Sequence, residues 1–430
     1  MKPILKRDLH WVRLDNAAKI YPAARTRHWS NMFRLSVTLT EAVDTALLQQ
    51  ALDATVPRFP TIAARLRRGI FWYYLQQLQQ APPVSQEQSY PLAFMHPQEA
   101  RQCAFRVIVY QNRIAVEFFH SLTDGTGGMT FLKSLVAEYL QRKYAITIPI
   151  THGILDRSEL PRQEEMEDCF PKHAASVTIS RSQPDSWHYY GTAEPDRRQH
   201  LIRFQLSVRE TLDKAHEYGV SLTEFLAAVL MQAILDLQAQ TVSSPHRRKA
   251  VRLMVPVNLR RLFPSKTLRN FSLYVIPEVD PRLGHYDFRE ICTIVHLKMA
   301  TEVTQKQMSQ AIAANVRSEQ LMAVRVIPLP LKNLIMKAVF QAVGERKSFM
   351  SLSNLGAVSL PEEMRRYVTG WDLILGPQAS APHNCGVLSY GDDLILNFIR
   401  NIKEPALEGH CFRILRDLGL GVTVQSNQEE

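Results

Sequence analysis

The stretch FRVIVYQNRIAVEFFH, Phe105 to His120, constrains the fold of this chain more than any other. Two β-rich runs flank Gln111-Asn112-Arg113, the pattern of an antiparallel hairpin. The second run leads directly into SLTDGTGG. GGMTFLKSLVAEYLQRKY then has helical spacing, with Phe131, Leu135 and Tyr139 on one face. A hairpin that feeds a helix does not fit a regular βαβ repeat, whose parallel strands need crossover connections. The mixture continues along the chain. MFRLSVTLT, HLIRFQLS, AVRLMVPVNLR, NFSLYVIPEV, SFMSLSNLGAV and VTGWDLIL read as strands, and NCGVLSYGDDLILNFIRN as a second hairpin. EAVDTALLQQALDATVPRF reads as an amphipathic helix broken by Pro57. SLTEFLAAVLMQAILDLQ is a strongly apolar helix, with Ser221 as N-cap and Glu224 completing a capping box. Helical patterns cover about 287–324 and 331–343, and GHCFRILRDL closes as a helix. The fold class is α+β.

A chain of 430 residues is too long for one ordinary core, so two lobes are expected. From about Thr151 to His200 the pattern dissolves into a polar segment with Pro161, Pro171, Pro184 and Pro195, read as a crossover. The expected division is 1–175 for the N-terminal lobe and 176–430 for the C-terminal lobe. Cys103, Cys169, Cys292, Cys385 and Cys411 are scattered and form no CxxC pair. This argues against a disulfide framework and a structural metal site. The net charge of +10 favours anionic partners: nucleic acid, a membrane surface or a phosphate-bearing small molecule. A non-enzymatic basic protein that binds nucleic acid or acts as a scaffold is an alternative class, but no recognition helix or RNA-binding module is apparent and the basic residues are dispersed, so nucleic acid is not expected. The N-terminus lacks a continuous apolar run, and no window reaches the roughly 18 apolar residues of a membrane span. A cytoplasmic chain with no transmembrane segment is expected.

His120 ends an apolar strand, and Asp124-Gly125 begins the turn into a helix. A histidine placed there can exchange a proton near neutrality. Asp124 could hold the imidazole, as in a triad. It could instead pair with an arginine and fix the loop, or merely cap the next helix beside a structural histidine. His152 and Asp156, in THGILDR, have the same four-residue spacing with neither a strand before them nor glycines after. Spacing alone therefore selects nothing.

The context of HSLTDG resembles the HxxxDG signature of the CoA-dependent acyltransferase superfamily. That superfamily includes chloramphenicol acetyltransferase, wax ester synthases, alcohol acetyltransferases and peptide-synthetase condensation domains. VPVNLRRLFPSKTLRNFSLYV, Val255 to Val275, is similar to its strand-loop-strand "vPvnlR … N". SLSNLGAVSLP resembles the late "SNLG" element, and RLDNAAKIYP the opening of bacterial alcohol acetyltransferase-like members. Phe119 replaces the first histidine of the HHxxxDG usual in condensation domains, and no DFGWG of plant-type members is present. Both departures point to the alcohol acetyltransferase branch.

The resemblance implies two chloramphenicol acetyltransferase-like lobes, a pseudo-dimer with a tunnel between them. It implies acyl transfer from acyl-CoA, a cosubstrate with no permanently bound cofactor, to a small alcohol or amine. An acyl carrier protein is the alternative donor, and a monomer is expected. His120 is the implied base, with Asp124 and Gly125 completing the motif. Asp124 would turn to an arginine: Arg260 first, with Arg261 and Arg269 as rivals. Ser353, Asn354 and the amides near Gly125 are candidates to stabilise an oxyanion. Gly127 and Gly128 would leave room for a pantetheine arm, or serve only the turn. HRRK, His246 to Lys249, would touch nucleotide phosphates or be a solvated loop. Phe71, Trp72, Tyr73 and Tyr74 would line a tunnel or pack under a sheet.

Overall fold

A computed structural model describes residues 11–24, 31–176, 184–195, 198–320, 326–343, 345–377 and 381–428. Its sheets follow from the alternating segments. Phe105–Tyr110 and Arg113–Phe119 form the anticipated hairpin, with Val107 opposite Val116 and Val109 opposite Ile114. They lie in a five-stranded sheet ordered Val368–Leu375, Met32–Leu39, Arg113–Phe119, Phe105–Tyr110, Ser85–Gln86. A second sheet is ordered Ser272–Val275, Val251–Asn258, Met350–Ala357, His383–Tyr390, Asp393–Arg400, His200–Ser207, Thr423–Ser426, with Glu278–Val279 also paired to Val251–Asn258. A small third sheet joins Val12–Arg13 to the hairpin of Ala64–Arg68 and Tyr73–Gln77.

A cut at residue 175 does not separate these sheets. Val368–Leu375 lies beyond it, yet pairs antiparallel with Met32–Leu39, Trp371 opposite Val37 and Leu373 opposite Leu35. Trp371, Leu373 and Ile374 share a buried core with Phe33, Leu35, Phe118 and Phe131. The C-terminal half thus completes the N-terminal sheet, and the two lobes are strand-exchanged. The described residues 151–176 hold only two single 3-10 turns, as the dissolving pattern anticipated, and Arg58 grips this segment by a two-pronged pair with Glu165 at 2.6 and 2.7 Å.

Helices begin where the sequence supplies caps. Asp44 Oδ1 accepts from Leu47 N–H ahead of Thr45–Thr55, and Ser221 and Glu224 form the capping box of Leu222–Thr241. Leu222–Thr241 is long and apolar enough to cross a membrane, against the expectation of no such window, but two-thirds of its apolar stretch is buried inside the protein. Phe225, Leu226, Val229, Leu230, Ile234 and Leu237 fill the core of the second sheet, which explains a helix apolar on every side. The patterned stretch after Asp287 splits at Val303 into Phe288–Glu302 and Gln305–Gln320. The final helix, Ala406–Asp417, does not close the chain, because Thr423–Ser426 returns to pair with His200–Ser207.

Candidate active site

The site is assembled at the end of strand Arg113–Phe119, where the two halves meet. Backbone bonds fix His120 first: its N–H donates to Asn31 O at 2.9 Å, and Leu122 N–H to Phe119 O at 2.9 Å. Ser121 Oγ donates to Ala18 O at 3.1 Å, and Thr123 Oγ1 to Leu268 O at 2.6 Å. The loop is therefore tied both to the opening segment of the chain and to its second half. Helix Gly125–Tyr144 follows, with Asp124 as its N-cap.

Asp124 is buried and does not hydrogen-bond His120. Its Oδ1 accepts from Gly127 N–H at 3.2 Å, capping the helix. Its Oδ2 accepts from Arg260 Nη1 at 2.7 Å and from Phe271 N–H at 2.9 Å. Capping and arginine pairing are both realised, one by each carboxylate oxygen. Arg260 also donates to Thr267 O at 2.9 and 3.0 Å and to Arg269 O at 2.6 Å, so it clamps the loop 258–271 against the motif. Of the three arginines considered, Arg260 is the one that reaches Asp124. Arg261 is exposed near Gly356, and Arg269 serves a different carboxylate.

That carboxylate is Asp15, which sequence reasoning did not single out. His120 Nδ1 lies 3.0 Å from Asn270 Oδ1, and Asn270 Nδ2 donates to Asp15 Oδ2 at 3.2 Å. Asp15 Oδ1 accepts from Ala18 N–H at 2.7 Å, and Arg269 Nε is 3.5 Å from its Oδ2. The order of groups fixes the protons. Asp15 can only accept while ionised, so the amide nitrogen of Asn270 faces it and the amide oxygen faces the ring. Nδ1 of His120 must then carry hydrogen, which leaves a lone pair on Nε2. Among the described residues the ring's hydrogen bond is made at Nδ1 and none is made at Nε2. Tyr21 stacks on the ring with centroids 4.6 Å apart, and Phe33 lies tilted at 5.1 Å. Burial lowers the pKa of His120 below its usual 6.5, opposed by its own backbone, by Asp124 and by Asn270, so the neutral base is favoured. Burial raises the pKa of Asp15, while Arg269, Ala18 N–H and the Asn270 amide work to keep it ionised. Signals existed for both missed residues: Asp15 sits in RLDNAAKIYP and Asn270 is the asparagine after VNLR. No local pattern connects them.

The remaining candidates divide. Leu355 of strand Met350–Ala357 packs on Gly125, with Cδ2 2.5 Å from where a Cβ would stand. Ser353, two residues before it, shares that face of the strand. Its hydroxyl has no described partner, and the residue is half-buried. Asn354 points to the other face, where Nδ2 donates to Thr223 Oγ1 at 3.0 Å and Oδ1 accepts from Gly356 N–H at 2.8 Å. Asn354 is a brace of the strand's irregular end. Gly127 and Gly128 do not leave room for an acyl-carrying arm. A Cβ at Gly127 would collide with Leu268 O and Thr123 Oγ1, and one at Gly128 would meet Phe118, Leu35 and Phe33 at 3.1 to 3.2 Å. The missing side chains let the helix seat against the protein itself. His246 to Lys249 is a largely exposed loop. Phe71 and Trp72 sit at the tip of a surface hairpin, whereas Tyr73 and Tyr74 lie on its second strand, where Tyr73 packs partly buried against the core.

No protein-family model matches this sequence, and no curated protein matches it. Solved structures do. Polyketide synthase associated protein 5 from Mycobacterium tuberculosis is 16% identical, with a TM-score of 0.58 over 94% of this chain and 96% of that one. TRI3 trichothecene 15-O-acetyltransferase from Fusarium sporotrichioides is 11% identical, with a TM-score of 0.59 over 97% and 98%. The starter condensation domain of rhizomide synthetase, solved with C8-CoA and Leu-SNAC, is 14% identical, with a TM-score of 0.57 over 95% and 94%. Alignment over nearly the full length of all three chains identifies the architecture: this protein has the two-lobed condensation-domain fold, the chloramphenicol acetyltransferase-like fold anticipated from HSLTDG.

Proposed function

We propose that this chain is an acyltransferase that moves an acyl group from acyl-CoA to the hydroxyl or amine of a small acceptor, with His120 as general base. The bare Nε2 of His120, left so by the Asp15–Asn270–Nδ1 chain, carries this reading. As the acceptor oxygen or nitrogen bonds to the thioester carbonyl carbon, its proton passes to Nε2. The tetrahedral oxyanion then collapses, the carbon–sulfur bond breaks, and the imidazolium returns the proton to the CoA sulfur. A thioester is already activated, so no covalent enzyme intermediate is needed. General-base catalysis supplies about 10²–10⁴-fold, and orientation of the reactants supplies more. Ser353 Oγ and the first-turn amides of Gly125 and Thr126, at the positive end of the motif helix, are the donors for the oxyanion. The fold shared with an O-acetyltransferase and with a condensation domain solved with C8-CoA supports the assignment.

The +10 charge suits the phosphates of CoA, and equally an acidic acyl carrier protein as donor. Both donors are tested together. The purified chain is given acyl-CoAs of increasing length, or acyl-carrier proteins, with pooled alcohols and amines. Free thiol release and product masses are read. Products from acyl-CoA that vanish in His120→Ala support the proposal. Products from the carrier alone transfer it to the second donor, and no product from either overturns it.

A further inference from the structure

Helix Leu329–Val343 has its apolar stripe turned outward. Leu331, Leu334, Ile335 and Ala338 are exposed, at the three- and four-residue spacing of a single helix face, and Leu334 is 66% exposed. A surface helix ordinarily turns such a stripe toward the core. Beside it stands the tip of the hairpin of Ala64–Arg68 and Tyr73–Gln77, where Ile70 is 75% and Phe71 42% exposed. Hydrogen bonds make tip and helix one body. Leu329 N–H donates to Ile70 O at 2.9 Å, Lys332 Nζ to Phe71 O at 2.8 Å, and Asn333 Nδ2 to Tyr73 Oη at 3.0 Å. Lys332 Nζ also lies 3.4 Å from the centre of the Trp72 ring. Single exposed apolar residues are ordinary, whereas a fixed crest of them on two joined elements marks an interaction surface.

The hairpin's outer face is basic. Arg65 and Arg67 stand opposite Gln76 and Tyr74, on the face away from buried Leu66 and Leu75. Arg67, Arg68 and Arg101 line an open cleft with Tyr74 and Gln76. Arg65 and Arg67 share the Gln76 amide oxygen at 3.0 and 2.8 Å. Neither they nor Arg68 and Arg101 have a carboxylate partner among the described residues. Residues 58–86 and 326–344 contain no aspartate or glutamate.

We propose that this end of the molecule docks on an anionic lipid bilayer, with the hairpin tip and helix crest, Ile70, Phe71, Leu331, Leu334 and Ile335, entering the headgroup region and the arginines behind the tip on the lipid phosphates. Charge chooses the occupant. A second copy bound through the same face would set arginines against arginines, because a twofold interface is self-complementary. An outward apolar helix face flanked by cations is the combination that binds anionic membrane surfaces. The crest offers protruding side chains, which suit a soft interface better than a shaped protein partner. It is also close to the site: helix Ile20–Ala24, whose Tyr21 stacks on His120, packs against Leu329–Val343. The docking does not depend on the acyl-transfer reading, and its test does not measure activity.

The test is co-sedimentation of the full chain with phosphatidylcholine vesicles, with and without phosphatidylglycerol. Binding is expected to the anionic vesicles and to weaken at about 0.5 M salt. Leu334→Asp combined with Ile335→Asp should weaken it at least about tenfold. Replacing Arg67, Arg68 and Arg101 by glutamine should weaken it roughly fivefold per arginine. Leu334, Ile335, Arg68 and Arg101 are exposed and Arg67 is half-buried without a carboxylate partner among the described residues, so melting temperatures should change little. Absence of wild-type binding to anionic vesicles overturns the proposal, as does unchanged binding by both variants. A wild-type dimer that becomes monomeric in the double aspartate variant, with no vesicle binding, assigns the face to a second copy instead. Stoichiometric capture of an acidic acyl carrier protein without vesicle binding also overturns it.

Discussion

Two aspartates converge on the loop that presents the histidine, and they do different work. Asp124 lies four residues from His120 in the chain and turns away from it, to Arg260, Phe271 N–H and the first turn of the helix. Asp15 lies far earlier in the sequence and is the one connected to the ring, through Asn270. Each is partnered by an arginine of the same second-half loop, Arg260 for one and Arg269 for the other. The difference is geometric. A residue four positions on, at the start of a helix, has its carboxylate committed to unsatisfied helix amides. Orientation of an imidazole needs an acceptor beside Nδ1, and here a side chain from the opposite lobe provides it. Nearness along the chain predicts support for the loop, while position across the lobe junction sets the proton.

This contrast can be broken in steps. The largest effect belongs to the ring itself: His120→Ala should fold normally and lose about 10²–10⁴-fold in turnover. In the unmodified enzyme kcat/KM should fall on the acid side with a midpoint below 6.5, since burial lowers the ring's pKa and protonation removes the Nε2 lone pair. A folded variant with the parental rate would take His120 out of the chemistry. Asn270→Ala should cost about 10²-fold by releasing the ring. Its acid midpoint should move to still lower pH, because the amide oxygen helps stabilise the protonated imidazole. A rate loss with an unmoved midpoint would reduce Asn270 to a packing role.

The two aspartates should then separate. Asp15→Asn allows the Asn270 amide to turn over, and about a tenfold loss in kcat is expected. Asp124→Asn should instead cost about 3 kcal/mol of stability, seen as a lower urea midpoint, because it strips a nearly buried arginine of its charge partner. Activity lost at unchanged stability would return Asp124 to the reaction. The smallest effect is predicted at the decoy. His152→Ala should change stability by no more than about 0.5 kcal/mol and leave the rate alone. His152 is exposed, Asp156 bonds to Ser158, and the two do not meet. What the protein uses at His152 is its backbone oxygen, an acceptor for Lys133 Nζ at 3.1 Å, which the substitution preserves.

Much of this site was legible in the sequence. Strand, turn and helix around HSLTDG follow from local periodicity, and VNLR supplied the arginine that meets Asp124. Gly127 and Gly128 left two readings open because a missing Cβ makes room without saying for what; here the Leu268 backbone and the Phe33 and Phe118 rings fill it. Ser353 and Asn354 could not be ranked until the strand's two faces were assigned. Phe71 and Trp72 gave no sign of a hairpin tip, because the run they share with Tyr73 and Tyr74 fits a buried segment equally well, and only Tyr73 packs on the core.

The sequence by itself determined the elements, their caps and the histidine at a strand end, all consequences of contacts within a few residues. Tertiary structure decided which half completes which sheet, which carboxylate serves the ring and which nitrogen keeps its lone pair. Those outcomes rest on single contacts between distant segments: Val368–Leu375 on Met32–Leu39, and Asp15 through Asn270 to His120. A hydrogen bond across a lobe junction depends on where two backbones meet, and no periodicity along either of them records that.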